Sequence, residues 1–461
     1  MKNIRIDRII SLIAIAVILF TAATGCAPKR ANIIEKVRTA IIEQWKLPFD
    51  SLYLQKNQLP DAVVYLPAPP DTTSEIFKED YNRWLWGKTI RPTPRGKQAS
   101  IESLYGIVRM CTIYSEVLGL KIDSQTTPAI YRFMLYVGET AHQSTAHAKE
   151  TYMRIRPFAR ANEKVWGEFD YDDLRNNGSY PSGHTALGWA TALALVEVAP
   201  QLQDTILRRG YQYGESRVIV GAHWQSDVYA GYHVASAAVA AMHNNPRFIA
   251  HLKAAQQEYN RLTANRNRLT SNWNGLTSST STPSASSTLS TSASANQNGP
   301  VFHLPHDSKI LDTLLIKHNN PTLYADTPLN KETSTDNISL QTFSEIKNAI
   351  LNELRIPTPP IIRVFAMANE ALQQNNYDVI SPDVGWAMAL IYAEIEPEIQ
   401  DVILKVGWMF GSPEINSNIN PNANQDLIQA RRILASAVVA SLHTNPKFQS
   451  LLSQAKRNAQ P

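Results

Sequence analysis

Two parts of the 461-residue sequence resemble each other, and this internal similarity constrains the architecture more than any other feature. At an offset of 197, residues 188–207 match residues 385–404 at 11 of 20 positions. At an offset of 200, residues 235–248 match residues 435–448 at 9 of 14 positions. Agreement this dense predicts a duplicated unit, with a small insertion in the second copy.

A change in composition separates the two copies. From Ala264 to Pro300 the sequence is rich in Ser, Thr and Ala, and such a segment has too few large apolar side chains to bury a core. The whole chain is also too long for one ordinary core. We therefore predict a first folded unit at residues 27–263, a flexible linker at residues 264–300, and a second unit at residues 301–461.

The matched stretches carry a helical pattern. Leu187, Ala190, Leu193 and Ala194 recur at the spacing of one helix face. Alternating strand patterns are scarce, and the only short β-rich run is Val218-Ile219-Val220. The sequence therefore predicts an all-α fold.

The N-terminus is typical of an export signal. Basic residues at positions 2, 5 and 8 precede an apolar run from Ile9 to Phe20, which is short for a membrane-spanning helix. The sequence Ala23-Thr24-Gly25-Cys26 that follows resembles a bacterial lipobox. We predict a lipoprotein signal peptide at residues 1–26 with lipid attached to Cys26; cleavage of an ordinary signal peptide nearby is the alternative.

The same region predicts where the protein resides. Ala27, rather than aspartate, follows the cysteine, and by resemblance to sorted lipoproteins this favours the outer membrane, on the periplasmic side. No later run has the roughly 20 apolar residues of a membrane span, so membrane contact is expected through the lipid anchor only. With Cys26 lipidated, Cys111 is left without a disulfide partner.

The charge pattern argues against nucleic acid as a partner. The net charge is only +4, and no basic run is interleaved with aromatic residues.

Three segments of the first unit carry the residue types of phosphoryl transfer: Lys149–x6–Arg156-Pro157, Pro181-Ser182-Gly183-His184, and Ser216-Arg217–x5–His223–x3–Asp227. Arginine and lysine suit phosphate oxygens, and a glycine at a helix start exposes backbone N–H groups to an anion. His223 and Asp227, four residues apart, are predicted to share a helix face, so that the carboxylate holds one ring nitrogen and the other attacks. His184 remains as a proton donor. This set suffices without a metal or another cofactor.

The joint pattern resembles the signature of the type 2 phosphatidic acid phosphatase superfamily, which includes vanadium haloperoxidases. The fuller motif at residues 178–185, with Tyr65-Leu66-Pro67-Ala68-Pro69-Pro70 upstream, resembles the class A bacterial non-specific acid phosphatases. The resemblance covers roughly residues 60–260. It implies a helical, haloperoxidase-like bundle and a metal-independent acid phosphatase that hydrolyses phosphomonoesters through a phosphohistidine.

The resemblance also implies a role for each matching residue. His223 would be the nucleophile, Asp227 would orient it, and His184 would protonate the leaving alcohol and then activate water. The remaining positions would bind phosphate: Lys149, Arg156, Ser182, Gly183 and Arg217.

The second unit lacks these residues. In the alignment, Ser381 replaces His184, Glu414 replaces Arg217, and no histidine replaces His223. We therefore predict a degenerate, non-catalytic repeat. Members of the resembled class often pair as dimers, so a homodimer and an intramolecular pseudo-dimer are both open, as is an independent tethered domain. His243, which recurs as His443, is interpreted as structural.

Several functions remain open at this point. Small organic phosphates are the expected substrates. Alternatives are a lipid or isoprenyl pyrophosphate phosphatase at the envelope, a vanadium-dependent haloperoxidase, and a non-catalytic envelope protein, which suits the second unit better than the first.

Overall fold

The computed structural model describes residues 52–167, 172–278, 364, 367, 368, 371, 382–409 and 425–459. These residues form helices, turns and loops, and they contain no strand. The predicted all-α fold is confirmed.

The α-helices are numbered here in chain order. They are α1 (Ala62–Tyr65), α2 (Glu75–Ile90), α3 (Pro94–Ile101), α4 (Ile107–Leu118), α5 (Pro128–Gln143), α6 (Ala146–Tyr152), α7 (Pro157–Arg160), α8 (Gly183–Val198), α9 (Gln203–Ile219), α10 (Gln225–Met242), α11 (Pro246–Ser278), α12 (Pro382–Ile395), α13 (Gln400–Met409), α14 (Gln425–Leu442) and α15 (Pro446–Ala459).

Helix α8 is the centre of the core. Its N-cap is Ser182, whose hydroxyl accepts the backbone N–H of Thr185 at 3.3 Å. Beyond the first turn the helix is buried on all sides and packs against α5, α9 and α10. A helix that is apolar all round belongs inside a fold, and this one places its capped start in the protein interior.

The β-rich run at residues 218–220 is helical. Val218 and Ile219 form the last turn of α9, and Val220 is its C-cap. Ile219 and Val220 are fully buried in a cluster with Phe158 and Ala222. Tertiary packing of these β-branched side chains outweighs their weak intrinsic preference for a strand.

The C-terminal helices repeat the order of elements found around α8. Helices α8, α9, α10 and α11 are followed in the same order by α12, α13, α14 and α15, and a short 3-10 helix lies between the first two of each set, at Pro200–Leu202 and at Pro397–Ile399. Helices α10 and α14 both have 18 residues. The degenerate duplication itself stays a prediction.

The C-terminal helices pack directly on the first ones. Helix α12 contacts α10, α14 contacts α8 and α10, and α13 contacts α1. Trp189 donates from its indole nitrogen to Ser436 Oγ at 3.1 Å, and the backbone N–H of Asp61 donates to Asp401 Oδ1 at 2.9 Å. Their buried apolar residues join one continuous core with those of the first helices.

Some predicted features lie at or beyond the edge of the described residues. Cys26 and the segment 1–26 are outside them, as is most of the predicted linker. Helix α11 runs to Ser278, past Ala264 where the linker was predicted to begin, because the Ser- and Thr-rich composition starts only near Thr277. Among the described residues, no helix is both long and apolar enough to cross a membrane.

Candidate active site

The three predicted segments converge beside the start of α8. Each contributes side chains from the end of a helix: Lys149 from α6, Arg156 from the N-cap of α7, Ser182, Gly183 and His184 from the start of α8, Arg217 from the last turn of α9, and His223 and Asp227 from the junction of α9 with α10. Every residue predicted for the site is therefore in one region.

His223 is not on a helix face. It precedes α10, in a loop that turns at Gly221 with φ of +78°, a conformation that favours glycine. Asp227 lies in the first turn of α10 and accepts the backbone N–H of Trp224 at 2.8 Å. The predicted shared helix face was wrong; instead, Asp227 caps the helix and reaches back to His223, with 3.4 Å between Oδ2 and Nδ1.

The two ring nitrogens of His223 have different neighbours. Nδ1 faces Asp227 and the hydroxyl of Ser179, whereas Nε2 lies 3.0 Å from Nη1 of Arg156. Because a guanidinium only donates, Nε2 must carry the lone pair and Nδ1 the proton. Burial, and then the positive charge of Arg156, lower the pKa of His223 well below its usual value, so the ring is neutral with Nε2 available as a nucleophile.

Asp227 is held as an anion. It accepts a hydrogen bond from Arg154 Nη1 at 2.6 Å and another from Ser179 Oγ. Burial by itself would raise the pKa of this carboxyl, but Arg154, His223 and Ser179 outweigh it and hold the pKa well below the usual range. An ionised Asp227 fixes the tautomer of His223.

Arg154 is a residue that the sequence reasoning missed. Its side chain is 8% exposed, and it bridges Asp227 to Asp80 of α2, with 2.8 Å between Nη2 and Oδ2. Asp80 in turn accepts the backbone N–H of Ser226 at 2.7 Å. The only sequence signal was a second arginine two positions before Arg156.

Three basic side chains, Lys149, Arg156 and Arg217, interact electrostatically with one another, and Arg156 contacts Nε2 of His223. Lys149 Nζ and Arg156 Nη2 both donate to the carbonyl of Gly178, at 2.9 and 3.2 Å. Burial lowers the pKa of Lys149 well below its usual value, and the neighbouring Arg156 and Arg217 lower it further. Cations that repel each other in a buried place are stabilised by a bound anion, so this cluster is suited to a phosphate group.

The start of α8 completes the anion site. A Cβ at Gly183 would lie 2.5 Å from Cδ2 of His142, so only glycine allows this approach of the helix start to the imidazole. The backbone N–H of Ser182 donates to the carbonyl of Asp227 at 2.9 Å, which ties the phosphate-binding turn to the start of α10. Free N–H groups of the first helical turn face outward from such a cap.

His184 lies between aromatic rings. It stacks on Tyr213 at a centroid distance of 5.9 Å and meets Tyr105 edge-on at 5.1 Å. Its Nε2 donates to the carbonyl of Ser103 at 3.1 Å, so Nδ1 is the nitrogen that can exchange a proton. Burial, then Arg217 and His223, lower its pKa well below the usual value.

Two other histidines, His142 and His147, lie close to Lys149 in the sequence, and their contacts differ. His147 is exposed and pairs with Asp61, with 2.9 Å between Nδ1 and Oδ1. His142 packs against Gly183 and Tyr105, at the start of α8.

A neutral histidine held by a buried carboxylate, beside a cluster of three basic side chains, defines a site for phosphoryl transfer through nitrogen. Comparisons with known proteins agree with this class. Residues 129–249 match the family model of the PAP2 superfamily. The non-specific acid phosphatase of Providencia stuartii is 44% identical over 214 residues, which cover 46% of this chain and 86% of the relative.

Two further relatives extend the similarity. The non-specific acid phosphatase of Salmonella typhimurium is 39% identical over 199 residues, 42% of this chain and 79% of the relative. The acid phosphatase of Zymomonas mobilis is 32% identical over 198 residues, 43% of this chain and 75% of the relative. The chain belongs to the PAP2 superfamily, and the superfamily predicted from the motif is confirmed.

Proposed function

We propose that this chain is a metal-independent acid phosphatase that hydrolyses phosphomonoesters through a phosphohistidine on His223. The observation that carries the proposal is the orientation of that ring. Its Nδ1 faces the ionised Asp227, and its Nε2 faces Arg156 in the cationic cluster. The names of the three relatives support the same activity.

In the first step, Nε2 of His223 attacks phosphorus while the bond from phosphorus to the leaving oxygen breaks. The ring then bears a positive charge, which Asp227 stabilises. His184 donates a proton to the leaving oxygen, so that an alcohol departs. Burial, and then the positive charge of Arg217, lower the pKa of His184, so a bound phosphate that offsets this charge raises the pKa and favours the protonated donor.

In the second step, water attacks the phosphohistidine and His184 accepts its proton. Cleavage of the nitrogen–phosphorus bond returns His223 to its neutral form and releases phosphate. Lys149, Arg156 and Arg217, with the N–H groups that follow Ser182, stabilise the negative charge on the equatorial oxygens in both steps.

The test is hydrolysis of p-nitrophenyl phosphate at mildly acidic to neutral pH with EDTA present. We expect turnover by the wild type and a loss of at least about 10⁴-fold in His223→Ala, because the nucleophile is removed. His251→Ala is the matched control, since His251 contacts Tyr53 and lies outside the site. Rapid quenching at alkaline pH should trap phosphate on the wild type and none on His223→Ala. A folded wild type without turnover, or one with an equally active His223→Ala, would refute the proposal.

We also propose that the mature chain is a lipoprotein on the periplasmic side of the envelope, anchored through Cys26. The support is the sequence Ala23-Thr24-Gly25-Cys26 after an apolar run. Labelled palmitate should enter the wild type and not Cys26→Ser; equal labelling of both would contradict the anchor.

A further inference from the structure

A small cavity lies where the C-terminal helices meet the first ones, and the same residue types line it from both sides. The cavity has room for about one water molecule. Its lining from α8 and α10 is Leu193, Ser236, Val239, Ala240 and His243, and its lining from α12 and α14 includes Leu390, Ser436, Val439, Ala440 and His443. Each residue of the first set is matched by the same type at the corresponding position of the second, at the offsets of 197 and 200 found in the sequence.

Two histidines stack face to face at this cavity. The ring centroids of His243 and His443 are 4.0 Å apart, and the ring planes differ by 19°. Each ring pairs with a glutamate of its own half: His243 Nε2 lies 3.0 Å from Glu197, and His443 Nε2 lies 2.8 Å from Glu394. We refer to Glu197–His243 and Glu394–His443 as the stacked pairs.

The helix contacts across this boundary are reciprocal. Helix α8 contacts α14, and its counterpart α12 contacts α10, while α10 and α14 contact each other. Contacts of this kind, in which each element meets the counterpart of its own neighbour, are the pattern of an isologous two-fold interface. The stacked pairs lie where the pseudo-two-fold axis would pass.

The Glu197–His243 pair is ionic. His243 Nδ1 donates to the carbonyl of Val239 at 2.8 Å while Nε2 donates to Glu197, so both ring nitrogens carry protons. The glutamates, Glu197 first, raise the pKa of His243 to about 9 against the opposing effect of burial. An imidazolium has no lone pair for a metal ion, so His243 and Glu197 form a buried ion pair. Lys456 lies 3.4 Å from the neighbouring carboxylate of Glu394.

The second half keeps the residues of this boundary and not those of catalysis. His443 and Glu394 match His243 and Glu197, whereas Ser381 stands at the position of His184. The second half has therefore kept the residue types that α8 and α10 present to the C-terminal helices.

We propose that the C-terminal helices are a built-in second subunit. They cover, around a pseudo-two-fold axis, the face through which the first half would pair with a second copy of itself. The full chain is then a monomer whose catalytic half is already paired, and this proposal does not depend on the proposed chemistry.

The test keeps the full chain and inserts a recognition sequence for a specific protease after Ser286. We expect the uncleaved chain to be a monomer by light scattering, and the two cleaved fragments to stay together with the same total mass at micromolar concentration. Fragments that separate, or an intact chain that dimerises, would overturn the proposal. This measurement needs no substitution at the interface.

Two matched substitutions test the pseudo-symmetry. In the cleavable chain, Val239→Arg and Val439→Arg each place a charge in the same cavity from opposite sides, so each should release the C-terminal fragment. Val402→Arg is the control, because Val402 is 60% exposed. Circular dichroism should show that helix content is retained.

The two released catalytic fragments should differ in mass. The fragment freed by Val439→Arg keeps its own face and should double its mass by pairing with a second copy. The fragment freed by Val239→Arg should remain a monomer. A monomeric fragment in both cases would show that this face does not pair with itself.

Discussion

Among the described residues, the buried pairs Asp227–His223 and Glu197–His243 join the same two residue types, yet their surroundings give the two histidines opposite protonation states. Burial and the cations Arg156 and Lys149 lower the pKa of His223 despite Asp227. The carboxylates Glu197 and Glu394 raise the pKa of His243 to about 9 despite equal burial. One carboxylate partner is therefore insufficient to charge a buried histidine, and the sign of the next nearest charges decides whether the ring is protonated.

This difference separates chemistry from assembly. A neutral ring with a free Nε2 can attack phosphorus, whereas a doubly protonated ring can only hold two acceptors in place. The following predictions test whether the two pairs are distinct in this way.

The largest expected effect is on catalysis at Asp227. Asp227→Asn should lower kcat by about 10⁴-fold, because an amide no longer fixes the tautomer of His223 or stabilises its charge. Glu197→Gln, the same chemical change in the other pair, should leave kcat within about threefold of the wild type. Steady-state kinetics with p-nitrophenyl phosphate measures both. Equal losses of kcat in the two variants would contradict the separation of a catalytic pair from a structural pair.

The next effect is on stability at Glu394. Glu394→Gln should lower the free energy of unfolding by about 3–5 kcal/mol, because His443 and Lys456 would lose their buried anion. Burial by itself would raise the pKa of Glu394, but His443 and His243 lower it to about 2, so the native group is charged. Denaturant titration should show the loss, and Glu398→Gln, an exposed change nearby, should be close to neutral. A Glu394→Gln variant as stable as the wild type would contradict the ionic account.

Arg154 should act on the reaction through Asp227. Arg154→Gln should lower kcat by about 10²-fold with a smaller change in KM, because a misplaced carboxylate misorients His223 and Arg154 does not contact the phosphate site. Arg154→Lys should recover part of the rate. A change in KM alone would instead place Arg154 in substrate binding.

The smallest effect is the pH dependence of stability. Because the pKa of His243 is raised from 6.5 to about 9, its contribution is complete below about pH 6.5 and is lost as pH rises through about 9. The wild type should lose about 2 kcal/mol between pH 7 and pH 9.5 through this group. Thermal melts of His243→Gln should show a flatter profile over that interval. Parallel profiles would mean that His243 is already neutral at pH 7.

The local parts of the site could be predicted from the sequence, because each motif lies within one short segment. Ser182 caps α8, Pro157 begins α7 directly after Arg156, and Gly221 forms the turn before His223, and each of these signals can be read from the sequence. The partners of Arg154 and Asp80 could not be predicted in this way. Arg154 is 73 positions from Asp227, and Asp80 is 146 positions from Ser226, so only the tertiary fold brings each pair together.

The position of His223 was misread for a simpler reason. Two residues four positions apart can share a helix face. The same spacing also separates the residue before the N-cap from the third residue of a helix, which here is an acid. The acid at Asp227 in the first turn favours the second interpretation, since carboxylates there accept free backbone N–H groups.

The most direct test of the comparison is nitrogen NMR of the protein labelled with ¹⁵N at histidine, recorded near pH 7.5 and assigned with His223→Ala and His243→Gln. We expect His223 as a neutral ring protonated at Nδ1 only, and His243 as an imidazolium protonated at both nitrogens. A charged His223 or a neutral His243 at that pH would contradict the account.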